Sequence, residues 1–151
     1  MGTTNDIGYL LQHLSFVLAR QSDQVLQEQL GIGFSQFKIL MALQSRPNVQ
    51  QKWIAERLGQ TEASISRQIK LMQGMGLITS LRNAHNRRQH ITRSTAKGER
   101  ITEKAMEILN TYHGPTFTRL SDKQRQQLQE ILTIMHDHTC RGDSVEACRL
   151  A

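Results

Sequence analysis

Three groups of residues in this 151-residue chain have types and spacings that could do chemistry. The first lies between residues 61 and 74. At about 100° per residue, Ala63, Arg67, Lys70 and Gly74 fall on one helical face, with Ser64 and Ser66 on its shoulders and Ile65, Ile69 and Met72 opposite. Small side chains let a backbone approach base edges in a major groove, serine hydroxyls donate or accept there, and a guanidinium can fork onto guanine. The second group is Arg82, Arg87, Arg88 and Arg93, set around the polar loop Asn83–Arg88. A positive hairpin tip suits phosphates and a narrow minor groove. The third is His136, His138, Cys140 and Cys148. These are zinc-ligand types, but the spacing fits no standard finger, and two histidines two residues apart on a helix point to different sides. A solvated tail is the expectation, and no metal. The same cysteines lack a neighbouring feature that would activate a thiol. No nucleophile–base triad, phosphate-cradling glycine loop or paired carboxylates stand out, so neither enzyme activity nor a cofactor is expected.

Charge placement sharpens the first two groups. The formal net charge is +6, but from Arg46 to Lys104 there are twelve Lys/Arg against four Asp/Glu, and the flanks carry seven against nine. No acidic residue occurs between Glu62 and Glu99, whereas seven basic ones do. Such a segment gathers positive potential on one surface, and nucleic acid is its commonest partner. Hydrophobic residues at 38% and charged ones at 21% fit a globular chain rather than a disordered one. With only 2 Pro and 10 Gly, helices are favoured over a loop-rich β-fold. No apolar run nears the ~18 residues of a membrane span, and the N-terminus lacks a signal-peptide pattern, so a cytoplasmic protein is expected.

The elements that must position these groups are readable. A first helix over about Asp6–Leu30 is apolar on more than one side: Leu10, Leu14 and Val17 on one, Ile7, Leu11 and Leu18 on the other. It therefore needs two partners, its own core and something else. Gly31 and Gly33 punctuate a turn, Ser35 is the expected cap of a short second helix, and Pro47 follows its end. A third helix, about Gln50–Leu58, packs Trp53, Ile54 and Leu58. Trp53 could be a stacking platform for a base, but its spacing favours a place in the core. Gly59-Gln60-Thr61 then connects to the helix Glu62–Gln73, with Thr61 as its cap and Glu62 at its positive end. Leu77–Arg82 and Gln89–Arg93 read as the two strands of a hairpin. A helix from Lys97 to about Tyr112 should break or kink at Gly114-Pro115. Ser121-Asp122-Lys123-Gln124 is a capping box for a last helix presenting Leu128, Ile131, Leu132 and Met135. The fold class is thus mainly α with a small β-hairpin wing: a winged helix-turn-helix core (34–98) between an N-terminal (1–33) and a C-terminal (99–151) dimerisation arm.

The segment Gln51–Gly98 resembles the DNA-binding core of the MarR family of bacterial transcription regulators. The matching residues are Phe34–Leu40, Ile54-Ala55-Glu56-Arg57-Leu58-Gly59, Ser64-Ile65-Ser66-Arg67, Gly76-Leu77-Ile78, Arg87-Arg88, Ile91-Thr92 and Thr95-Ala96-Lys97-Gly98. The long first helix and two C-terminal helices extend the likeness over nearly the whole chain. Asn86 stands where the family usually has an Asp that pairs with the wing arginines, and Ser94 where it usually has Leu. The resemblance implies a reactive first-helix cysteine in the peroxide-sensing branch, and this first helix has no cysteine.

The expected function is a sequence-specific, double-stranded-DNA-binding repressor, homodimeric on a pseudo-palindromic operator. Lys52, Arg82, Arg87 and Arg88 would hold phosphates, and Ser64, Ser66, Arg67 and Lys70 would read the major groove, with Thr61, Ala63 and Asn86 in the same interface. Leu10, Leu14, Val17, Leu128, Ile131, Leu132 and Met135 would form the dimer interface. A small aromatic or phenolic effector, implied by the resemblance alone, would sit near His13, Phe16 and Arg20. The competing expectation is a winged protein-interaction module of anti-activator type that binds an acidic protein.

Overall fold

A computed structural model describes residues 4–86 and 89–139. The elements are α1 (Thr4–Leu30), α2 (Phe34–Ser45), β1 (Val49–Gln50), α3 (Gln51–Leu58), α4 (Glu62–Gly74), β2 (Ile78–Arg82), β3 (His90–Ser94), α5 (Ala96–Thr118) and α6 (Asp122–Thr139). The three strands form one antiparallel sheet in the order β1-β3-β2. Arg87, Arg88, Cys140 and Cys148 lie outside the described residues.

The core gathers where α2, α3, α4, the sheet and α5 meet. Phe37, Ile39, Leu40 and Leu43 of α2, Ile54 of α3, Ile65, Ile69 and Met72 of α4, Leu77 and Ile78, and Ala105 of α5 are buried together. Each large aliphatic residue among them contributes about 1.5–3 kcal/mol by leaving water. Of α1, Ser22, Val25 and Leu26 are buried, while Ile7, Leu10, Leu14 and Phe16 stay exposed. The helix does have two faces to cover, and its own chain covers one end of one.

The start of α2 departs from expectation. Gly31 adopts a left-handed φ of 67°, its N–H donates to Gln27 O (3.1 Å), and α1 ends there. Ile32 is then buried, so the helix begins sooner than Ser35 would allow, and Gly33 is its cap residue. Gln36 Oε1 accepts the Gly33 N–H (3.0 Å), and Asp23 Oδ1, reaching across from α1, accepts the Phe34 N–H (2.8 Å). Ser35 sits inside the first turn, its capping task taken by Asp23 and Gln36.

Strand β1 was not expected. Asn48, at φ 60°, turns the chain after Pro47, and Val49 and Gln50 pair with Thr92 and Ile91. The hairpin pairs Ile78 with Ser94, Ser80 with Thr92 and Arg82 with His90. Ile78, Val49 and Thr92 thereby share the face on the core.

The break expected at Gly114-Pro115 does not occur: α5 runs on to Thr118 with Pro115 inside it. Pro115 has no N–H to donate to Thr111 O and its ring crowds that carbonyl, so the helix ladder is interrupted at one step, after which only three residues of α5 follow; Thr118 Oγ1 donates back to Pro115 O (3.1 Å). The capping box before α6 forms as expected, with Ser121 N–H donating to Gln124 Oε1 (2.9 Å) and Gln124 N–H to Ser121 Oγ (3.2 Å). Arg125 bonds Asp122 and donates to Leu120 O (2.6 Å). Helix α6 buries none of its residues against its own chain.

Candidate nucleic-acid interface

The turn between α3 and α4 is built by backbone geometry. Gly59 closes α3 in the left-handed region (φ 61°), and Gln60 N–H donates to Ala55 O (2.9 Å). Thr61 then caps α4, its Oγ1 accepting the Ser64 N–H (3.2 Å), with Glu62 in the first turn. Because Ile65, Ile69 and Met72 are buried, the rotation of α4 is fixed. Its outward face is the one expected: Thr61, Ala63, Arg67, Lys70 and Gly74 are exposed, and Ser64 and Ser66 are half-buried at its margins. Arg67 and Lys70 have no carboxylate partner among the described residues, so their charge faces solvent unopposed. One residue of this face escaped the sequence reading. Leu71 is 58% exposed beside Arg67, an apolar group suited to a thymine methyl. Its signal was a leucine outside the Ile65–Ile69–Met72 stripe.

The wing projects on the same unit. Asn83 N–H donates to Gln89 O (2.8 Å) and Gln89 N–H to Asn86 O (2.9 Å), closing the loop, and Asn83 Oδ1 accepts the His85 N–H (3.0 Å). Arg82, Asn86 and Arg93 are exposed, while the expected tip contacts Arg87 and Arg88 lie outside the described residues. Lys52 is exposed on α3 and faces Glu56 at 3.9 Å, an exposed pair weak enough to exchange for a phosphate. Trp53 is half-buried and packed against the core, with the guanidiniums of Arg46 and Arg57 over its ring, so it is not a bare stacking surface.

The end of α4 and the start of the wing are tied to α5. Thr95 caps α5 through the Gly98 N–H (3.0 Å), its hydroxyl donates to Gly76 O (2.7 Å), and its N–H donates to Leu77 O (3.0 Å). Lys97 Nζ donates to Met75 O (2.8 Å). A displacement of α5 must therefore move the base of the wing and the last turn of α4.

Of the expected dimer residues, Leu10, Leu14, Leu128, Ile131, Leu132 and Met135 are exposed and Val17 is half-buried. Ile134, on the same helix α6, is 70% exposed. His13, Phe16 and Arg20 are also exposed, and His13 stacks on Tyr9 (5.9 Å). None of the three lines the cleft of about 630 Å³ between α1 and α5, whose walls include Leu11, Leu18, Phe34 and Leu109. Its buried polar edge is Ser22 Oγ against His113 Nε2 (2.9 Å). No group of three or more His, Cys, Asp or Glu among the described residues could hold a metal ion, and no described helix is long and apolar enough to cross a membrane.

Residues 30–89 match the model of the MarR family. Over 132 residues the chain is 26% identical to the organic hydroperoxide resistance transcriptional regulator of Bacillus subtilis (strain 168), covering 87% of this chain and 88% of the relative. Among solved structures, apo wild-type MarR from E. coli superposes with a TM-score of 0.77 at 19% identity, over 85% of this chain and 94% of that one. The S. aureus MepR–DNA complex superposes with a TM-score of 0.74 at 24% identity, over 88% and 97%.

Proposed function

We propose that this chain, whose residues 30–89 match the MarR family model, is a transcriptional regulator of that family that reads duplex DNA as a homodimer and represses until a small effector releases it. The observation that carries this is the outward face of α4: unpaired Arg67 and Lys70 beside Ala63, Ser64 and Ser66, on a helix whose other side is locked in the core. The reading assigns Ser64, Ser66, Arg67 and Lys70 to base edges with Thr61 and Ala63 at the helix entry. It assigns Lys52, Arg82, Arg87 and Arg88 to phosphates, with Asn86 beside them at the wing.

Residues 34–98 are then the DNA-binding core, and 1–33 and 99–151 the arms that pair two copies. A helix that buries nothing in its own chain supports this pairing, since Leu128, Ile131, Leu132 and Met135 would otherwise remain in water. Leu10, Leu14 and Val17 of the partner's first helix have the matching chemistry. Pairing on a two-fold axis gives half-sites about one helical turn apart. The effector would enter the α1–α5 cleft rather than the surface of His13, Phe16 and Arg20. From there it acts on α4 through the Thr95–Gly98 junction, favouring a spacing of recognition helices that misses successive grooves. The protein would work in the cytoplasm, beside the chromosome. The resemblance implies a reactive first-helix cysteine in the peroxide-sensing branch, and α1 contains none, so the effector reading here is non-covalent.

Gel retardation with the DNA upstream of the protein's own gene tests the reading. Saturable retardation that survives competitor DNA is expected. Weak, sequence-independent retention would favour a protein-interaction module instead.

A further inference from the structure

Trp53 carries more positive charge around it than packing requires. The Cζ atoms of Arg46 and Arg57 each lie 5.6 Å from the centroid of its ring. Cation–π attraction holds each guanidinium to the indole, but two like charges on one ring repel each other. Arg57 Nη1 is buried and has no acceptor among the described residues. Lys52 stands next in sequence, and the carboxylate close by, Glu56, already faces it at 3.9 Å. The cluster is short of negative charge.

Beside it lies a hollow of about 310 Å³ between the α2–β1 turn and the first turn of α3, lined by Arg46, Asn48, Gln50, Lys52, Trp53 and Glu56. Helix α3 starts there without a side-chain cap: Gln50 makes no such hydrogen bond, whereas Thr61 and Thr95 cap α4 and α5. The positive end of an eight-residue helix and two lysine or arginine heads thus open on one small cavity. That donor set fits a phosphate group. In helix-turn-helix proteins the helix before the reading helix crosses the DNA backbone, and α3 is that helix.

We propose that this hollow is a seat for one backbone phosphate of bound duplex DNA, with Arg46 and Lys52 as its cations and Trp53 as the positioning residue that holds Arg46 over it. The inference rests on the DNA-binding reading and extends the contact surface away from α4 and the wing. Glu56 becomes the group that keeps Lys52 placed until a phosphate displaces it. Trp53 acts through Arg46: a guanidinium already docked on an indole loses less freedom on meeting a phosphate than one free in solvent.

The chain has one tryptophan, so its emission reports this hollow without labelling. Acrylamide quenching of the full chain is expected to fall at least twofold when a retarded duplex saturates it. Unchanged quenching with the duplex bound would overturn the seat and leave DNA binding standing, whereas no retardation at all would overturn DNA binding itself. Arg46 is exposed, so Arg46→Ala should fold normally by circular dichroism. It should flatten the slope of log K against log salt by about 0.9, so that wild type loses about 3.5-fold more affinity than the variant between roughly 50 and 200 mM salt. Its base preference should stay as in wild type. Trp53→Phe should keep the wild-type slope and Trp53→Leu should match Arg46→Ala. A wild-type slope in Arg46→Ala, or in a folded Trp53→Leu, would overturn the proposal. Inorganic phosphate alone is the last arm: protection of Trp53 by phosphate equal to that by duplex would reassign the hollow to a free anion.

Discussion

Gly98→Ala sets two effects of opposite sign against each other. Gly98 is the third residue of α5 and lacks a left-handed φ, so propensity alone favours alanine there by up to ~1 kcal/mol. The surroundings forbid it. A Cβ would lie 2.1 Å from Leu77 O, 2.5 Å from Ser94 Oγ and 3.1 Å from Leu77 C. Ser94 can rotate away, but the Leu77 carbonyl is fixed because it accepts the Thr95 N–H at 3.0 Å. Helix α5 must retreat by about 1.3 Å to reach ordinary contact, which stretches that bond, the Thr95–Gly76 bond and the α5 cap together. Overpacking costs roughly 1–3 kcal/mol and a lost cap about 1 kcal/mol, against the propensity gain. The net is a loss of about 2 kcal/mol, or a fall of about 4–8 °C in melting temperature for a chain of this size. Gly74→Ala is the control, because a Cβ there meets nothing within 4 Å. It should raise the melting temperature by about 1–4 °C. Thermal unfolding followed by circular dichroism decides, with no DNA present. If Gly98→Ala melts at or above the wild-type temperature, the close approach of α5 to the base of the wing has been misread.

Arg67→Ala should cost about 1–3 kcal/mol on the true operator and relax base preference at one position per half-site, read by competition with single-base variants. Arg88→Ala should instead weaken all sequences alike and lower the salt slope by about one; identical behaviour of the two variants would erase the division between reading and anchoring residues. A chain ending at Leu120, without α6, should sediment as a single subunit and lose operator affinity by roughly 100-fold or more, since two half-sites are no longer held together.

Helix α4 was legible because its determinants are local. Gly59, Thr61 and the Ile65–Ile69–Met72 stripe lie within fourteen residues and specify turn, cap and rotation without help from elsewhere. The capping box at Ser121 was legible for the same reason. What was hidden depends on contacts across the chain. Ser35 looked like a cap because nothing nearby says that Asp23, eleven residues before Phe34, will reach its N–H. Pro115 reads as a breaker because it removes one ladder bond, but that loss falls near the end of a 23-residue helix already held by its packing on α1 and α2. Strand β1 is two residues long and exists only because β3 returns beside it, and so leaves no periodicity to detect. The cleft beside α1 takes its shape from α1 and α5 together, and that pairing turns Ser22 rather than His13 toward it. In Trp53 the sequence showed an apolar residue among core neighbours; the two guanidiniums come from different elements and needed the fold to meet.

Selection of bound duplexes from a random pool by the purified full chain tests most directly whether α4 reads DNA in a paired molecule. Enriched sequences should converge on an inverted repeat whose half-sites are centred about one helical turn apart, and Arg67→Ala should blur the same position in both halves. A pool that never converges, or that converges on a single unrepeated half-site, would contradict the account.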